Sequence, residues 1–131
     1  MPNRFSYSIL EKELSVTENV SGNSIWHGKP KQLDGKIIVP IPDFDDCIVL
    51  LDFYQADASQ TKNLLRIDPY GRIIWESGFP SKQLYGIKRT DHEAYVFMEY
   101  ENQKLWGTSW SGFRDEINID NGAIIDSIFV K

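Results

Sequence analysis

The chain predicts an all-β fold of antiparallel meanders, and three observations carry that prediction. Strand-like alternation recurs along its length, sustained helical periodicity does not, and a short pattern closing on a glycine turn occurs twice. Ile67-Asp68-Pro69-Tyr70-Gly71-Arg72-Ile73-Ile74-Trp75 returns as Ile119-Asp120-Asn121-Gly122-Ala123-Ile124-Ile125-Asp126, with the two glycines about fifty positions apart. Each copy reads as the end of one strand, a tight turn and the start of the next.

The elements follow in order. Phe5, Tyr7 and Ile9 alternate with Arg4, Ser6 and Ser8, and the alternation continues through Leu14 and Val16. Ser21-Gly22-Asn23 is a turn into a short Ser24-Ile25-Trp26 piece, and Gly28-Lys29-Pro30 is a connector. Asp34-Gly35 turns into Lys36-Ile37-Ile38-Val39, where Pro40 and Pro42 confine further pairing to an edge. Ile48 to Phe53 is apolar except for Asp52, the signature of a strand buried on both faces and the expected centre of the core. A polar stretch from Gln55 to Asn63 follows, long for a hairpin loop. Leu64–Ile67 and Arg72–Trp75 form a hairpin around Pro69-Tyr70-Gly71. In the second half Ala94–Tyr100 pairs with Lys104–Trp110, Ser111-Gly112 turns into Phe113–Ile119, and Asn121-Gly122 leads into Ala123–Val130. Period two sets Trp106, Thr108 and Trp110 on one face, and Phe113, Asp115, Ile117 and Ile119 together opposite Arg114, Glu116 and Asn118.

A length of 131 residues implies one domain spanning 1–131, able to bury a core without metal or disulfide support. The four Trp and six Tyr favour a β-rich or recognition-rich domain. The single cysteine, Cys47, heads an apolar run and reads as a small buried hydrophobe. Met1 to Ser8 lacks a signal-peptide apolar region and no stretch reaches membrane-spanning length, so a cytoplasmic protein without a membrane partner is expected. The net charge of −5 argues against a nucleic-acid partner, which needs clustered Lys and Arg. Asp91, Glu93, Glu99, Glu101, Asp115, Glu116, Asp120 and Asp126 stand against only Lys104 and Arg114 in one segment, an acidic surface suited to a basic partner.

Lys104-Leu105-Trp106-Gly107-Thr108-Ser109-Trp110-Ser111-Gly112-Phe113, followed by Ile119-Asp120-Asn121-Gly122-Ala123-Ile124-Ile125, is similar to a blade of the quinoprotein-type β-propeller repeat. Asn63 to Trp75 resembles a second such unit. The resemblance implies two blade-like repeats over 46–130 behind an N-terminal meander at 1–42. Two units cannot close a propeller, so a compact sandwich or partly open barrel is expected, with assembly into a larger ring as the alternative. It carries over no quinone cofactor, and no cofactor is expected. In size, acidity and missing catalytic residues the chain also resembles small bacterial immunity proteins of contact-dependent growth inhibition and related toxin systems.

No catalytic constellation accompanies these features. Asp43-Phe44-Asp45-Asp46 lacks the glycine and terminal Glu of an EF-hand loop, and partner contact is its better functional use. His27 and His92 have no Cys or His at metal-ligand spacing. There is no nucleophile elbow and no Gly-rich phosphate loop. Trp106, Trp110 and Phe113 could stack on a sugar or base or anchor an interface, with core packing the expected fate of at least one of them. The expectation is therefore a non-enzymatic binding protein, most specifically an immunity protein that neutralises a basic toxin, such as a nuclease. Its partner-binding residues are expected to be Asp43, Asp45, Asp46, Glu99, Glu101, Trp106, Trp110, Phe113, Asp115 and Glu116. The alternatives are a propeller-like assembly module and a small-molecule or glycan binder using the aromatic face.

Overall fold

The computed structural model describes residues 4–42, 44–52, 62–77, 83–84, 87–88, 94–109 and 112–129. The fold is all-β and antiparallel, as expected. The first sheet holds β1 (Phe5–Leu10), β2 (Glu13–Glu18) and β3 (Ser24–Gly28) in that order. The second runs β4 (Gly35–Pro40), β5 (Cys47–Leu51), β6 (Leu64–Ile67) and β7 (Ile73–Glu76). A small pair, β8 (Gln83–Leu84) and β9 (Ile87–Lys88), precedes the third sheet of β10 (Tyr95–Glu101), β11 (Lys104–Ser109), β12 (Phe113–Ile117) and β13 (Ile124–Phe129).

The three sheets stack face to face, and β5 shows why. All five of its residues are fully buried. Cys47, Val49 and Leu51, with Leu65 and Ile67, face the first sheet and pack with Leu14, Tyr7, Ile9 and Trp26. Ile48 and Leu50, with Leu64 and Trp75, face the third sheet and pack with Tyr95, Met98, Leu105 and Ile117. Burying each such side chain contributes roughly 1.5–3 kcal/mol, so a strand apolar on both sides demands cover on both. That requirement makes three layers of antiparallel sheet, in keeping with the expected packing of blade-like units. The second sheet also starts at Gly35, before the repeat boundary expected at 46, because Val39 pairs with Ile48 and Pro40 with Cys47. The prolines do hold β4 at the sheet edge. The polar stretch expected as a long loop lies mostly outside the described residues.

One expected strand is two. The alternation from Phe5 to Val16 breaks at Glu11 and Lys12, whose φ values of 51° and 71° form a tight left-handed turn. Asn102 and Gln103 repeat this geometry between β10 and β11, at 53° and 65°. Such turns favour Asn-Gly, because only glycine takes the second position without steric cost. Gln103→Gly is therefore expected to stabilise the protein by about 1 kcal/mol, seen as a higher urea midpoint with an unchanged slope. No gain would mean that the Gln103 side chain makes a compensating contact.

Candidate functional site

The chemistry of this fold lies where one sheet meets the next. Trp75, on β7, lays its indole on Gly122 in the third sheet, where an added Cβ would come within 2.6 Å of the ring. The indole Nε1 donates to the Ile119 carbonyl at 2.8 Å. Arg66, its cross-strand partner on β6, donates to the same carbonyl from a terminal guanidinium nitrogen at 2.9 Å and to Asp46 from Nε at 2.9 Å. Trp26 on β3 repeats the device one sheet earlier, against Gly71 of the second sheet, where an added Cβ would lie 2.3 Å from the ring. The twice-repeated glycine pattern is thus a pair of sockets for tryptophan.

A third copy of the pattern becomes visible. Gly22, Gly71 and Gly122 all have φ between 75° and 79°, and each is followed four residues later by the joint position: Trp26, Trp75 and Asp126. The turns around Gly22 and Gly122 make the same hydrogen bonds. Gly22 donates to Glu18 and Glu18 to Asn23, while Gly122 donates to Asn118 and Asn118 to Ala123. The first and third copies differ from the second in two ways. Among the described residues nothing lies within 4 Å of a Cβ built on Gly22, and Asp126 stands at the position that Trp26 and Trp75 hold in the other copies.

The outward faces differ too. That of the first sheet carries Ser6, Ser8, Ser15 and Thr17, all exposed or half-buried. That of the third sheet is amphipathic. Along one cross-strand row, Glu99 pairs with Trp106, Trp106 with Glu116 and Glu116 with Asp126. The adjacent row reads Phe97, Thr108, Arg114 and Ile128, with Phe97 49% and Ile128 47% exposed. Arg114 stacks on the Trp106 ring at 4.2 Å and pairs with Glu99 at 3.1 Å.

Of the expected partner-binding residues, Glu99, Glu101, Trp106 and Glu116 share this outward face. Phe113 and Asp115 do not: both are buried on the opposite side of the sheet. The Asp115 carboxylate accepts from the Tyr95 hydroxyl at 2.8 Å and the Ser127 hydroxyl at 2.6 Å, making it part of the packing between strands. Asp45 and Asp46 lie elsewhere, at the β4–β5 connection. Asp45 is exposed beside Arg4 at 3.5 Å, its carbonyl accepting from the Tyr7 hydroxyl, and Asp46 is committed to Arg66. Asp43, Trp110 and His92 lie outside the described residues. Sequence reasoning missed Phe97 and Ile128 as members of the face; it counted Asp126 in the acidic segment and set Arg114 beside Glu116 without naming either as partner-binding.

The remaining chemistry is sparse. Among the described residues no group of three or more His, Cys, Asp or Glu side chains could hold a metal ion. Burial first, then the nearby Asp46 and Asp68 charges, push the Cys47 thiol far up, so it stays protonated and unreactive. Burial likewise raises the Tyr7 hydroxyl. A cleft of about 440 Å³ opens beside the second joint, lined by Pro42, Phe44, Tyr100, Asn102, Gln103 and Ile119.

Solved structures place the stack among propellers. The chain is similar to the computationally designed Ika8 protein over its whole length (TM-score 0.62, 9% identity), spanning 35% of that chain. It is similar to the designed Ika4 protein over its whole length as well (0.63, 9%), spanning 70% of that chain. BamB from Moraxella catarrhalis matches 93% of this chain (0.54, 12%), which spans 34% of BamB. This chain thus covers about a third of Ika8 and of BamB. At these identities the likeness shows fold alone: the three sheets are propeller blades, the first with three strands. No curated protein matches. A family model described as a domain of unknown function, DUF7957, matches residues 32–129 and so takes in the second and third blades with their shared joint; the chain belongs to that family.

Proposed function

We propose that this protein is a non-enzymatic binding protein that neutralises a basic protein toxin, acting as its immunity partner. The observation that supports this reading is the outward face of the third blade, where exposed Phe97 and Ile128 adjoin Trp106, Glu99, Glu101 and Glu116. Apolar anchors within an acidic surround suit a protein surface rich in Lys and Arg. Opposite charge speeds encounter and fixes register, while the aromatic and aliphatic groups supply most of the affinity. For a nuclease, the carboxylates would occupy the place of the substrate phosphates. A glycan reading of Trp106 is weaker, since Arg114 already covers the ring face on which a sugar would stack.

The test is capture of partners by the tagged protein from its own host at low and at high salt. A single strongly basic protein, retained at low salt, weakened at high salt and inhibited in its own activity by added protein, is the expected result. Capture that is indifferent to salt, or no capture at low salt, would overturn the reading.

A further inference from the structure

We infer that the outward face of the third blade, the counterpart of the faces by which the first two blades pack on the next, seats a cationic, N–H-donating segment of a protein partner. This rests on the binding-protein reading above and names the chemistry of the contact. The inference comes from comparing one structural row across the blades. In the first blade the row is Tyr7, Val16 and Trp26. In the second it is Val39, Ile48, Arg66 and Trp75. In the third it is Glu99, Trp106, Glu116 and Asp126.

The second-blade row is a donor surface. Arg66 and Trp75 each direct an N–H at the Ile119 carbonyl of the next blade. In the third blade the same two places hold Glu116 and Asp126, whose carboxylates accept hydrogen bonds and donate none. The polarity of the joint is reversed.

That reversal selects the occupant. A second copy of this chain would present its first-blade turn, in which the Asn19 carbonyl stands at the place of Ile119. Carboxylates facing a carbonyl repel, and Gly22 would receive no indole. A surface offering guanidinium or ammonium groups complements the row instead. Glu116 and Asp126 form no ion pair among the described residues, and like charges directly opposite in a sheet destabilise it. An arginine fork can bridge two such carboxylates with its parallel N–H groups, and the exposed Ile128, two residues along β13 from Asp126, supplies an apolar bed for its stem.

The probe is Nα-acetyl-arginine amide, titrated into the isotope-labelled full chain and followed by amide and indole NMR shifts. Shifts are expected to concentrate on the Trp106 indole and on residues 97–99, 114–116 and 126–128. They should require about tenfold more probe in Glu116→Gln/Asp126→Asn, whose side chains are half-exposed isosteres that leave the core intact. Shifts centred on Asp45 and Asp46, or unaltered by the double substitution, would overturn the site. The basic partner distinguishes the two readings. If the double variant binds it as tightly as the wild type does, the site is wrong and the binding function stands. If no partner is captured while the arginine shifts are present and lost in the variant, the site stands and the toxin reading fails.

Discussion

Gly122→Ala is expected to destabilise the protein by about 2–5 kcal/mol, whereas Gly22→Ala should cost only about 1–2 kcal/mol. The two glycines share a left-handed φ, 79° and 75°, so any side chain at either position meets the same backbone penalty. What differs is the neighbour. A Cβ on Gly122 would sit 2.6 Å from the Trp75 ring, which is 8% exposed and bonded to Ile119, while a Cβ on Gly22 would meet none of the described residues. The added methyl group must lift the indole off its seat or shift the turn that bears Ile119, and overpacking of this kind costs roughly 1–3 kcal/mol beyond the backbone term. Urea denaturation of the two variants separates the contributions. Equal losses would mean that the indole joint adds nothing to stability and that the glycines are retained for turn geometry alone.

Much of this architecture was legible in the residues because period-two alternation reports burial directly. The apolar run at Cys47–Leu51 announced a strand covered on both faces, and the split between Phe113, Asp115, Ile117 and Arg114, Glu116 on β12 matches the alternation of burial along that strand. The glycine repeat at 71 and 122 marked two equivalent hairpins. Its third member, from Gly22 to Trp26, has the same spacing but is harder to read, because the Ile-Asp pair that precedes the other two glycines is replaced by Asn19-Val20-Ser21 and only Ile25 is common to all three copies between the glycine and the joint position. The turn at Glu11-Lys12 escaped for a physical reason as well. Neither residue favours a positive φ, and the hairpin forms because β1 and β2 pair along their whole length and impose it.

The candidate site was only half legible. Charge counting gathered Asp115 and Glu116 into one acidic surface, although adjacent residues on a strand point to opposite faces. Asp115 consequently belongs to the buried contact with Tyr95 and Ser127. Applied consistently, the same alternation groups Glu116 with Arg114 and excludes Phe113. What alternation could not supply is the cross-strand register, which sets Asp126 beside Glu116 and both in line with Trp106. The meaning of Asp126 required the joint itself. Only with Trp26 and Trp75 seen in their sockets does an acid at the third position become a change of surface chemistry.

Arg66→Met is expected to cost about 3–5 kcal/mol, the usual penalty for removing one member of a buried ion pair. The side chain is deeply placed, at 7% residue exposure, and holds three things at once. It pairs with Asp46 at 2.9 Å, donates to Ile119 at 2.9 Å and lies 5.2 Å above the Phe44 ring. Methionine preserves the apolar volume but leaves the Asp46 carboxylate without its counter-ion and the Ile119 carbonyl with the Trp75 indole alone. Asp46→Asn should cost less, because the amide keeps an acceptor for Arg66 and the guanidinium retains its bond to Ile119. The double variant tests the coupling. If Arg66 acts through the ion pair, Arg66→Met/Asp46→Asn will be more stable than the sum of the single losses implies, since the uncompensated charge is gone. Strict additivity would assign the effect to the Ile119 bond, making Arg66 a clasp between the second and third blades that works independently of its acid.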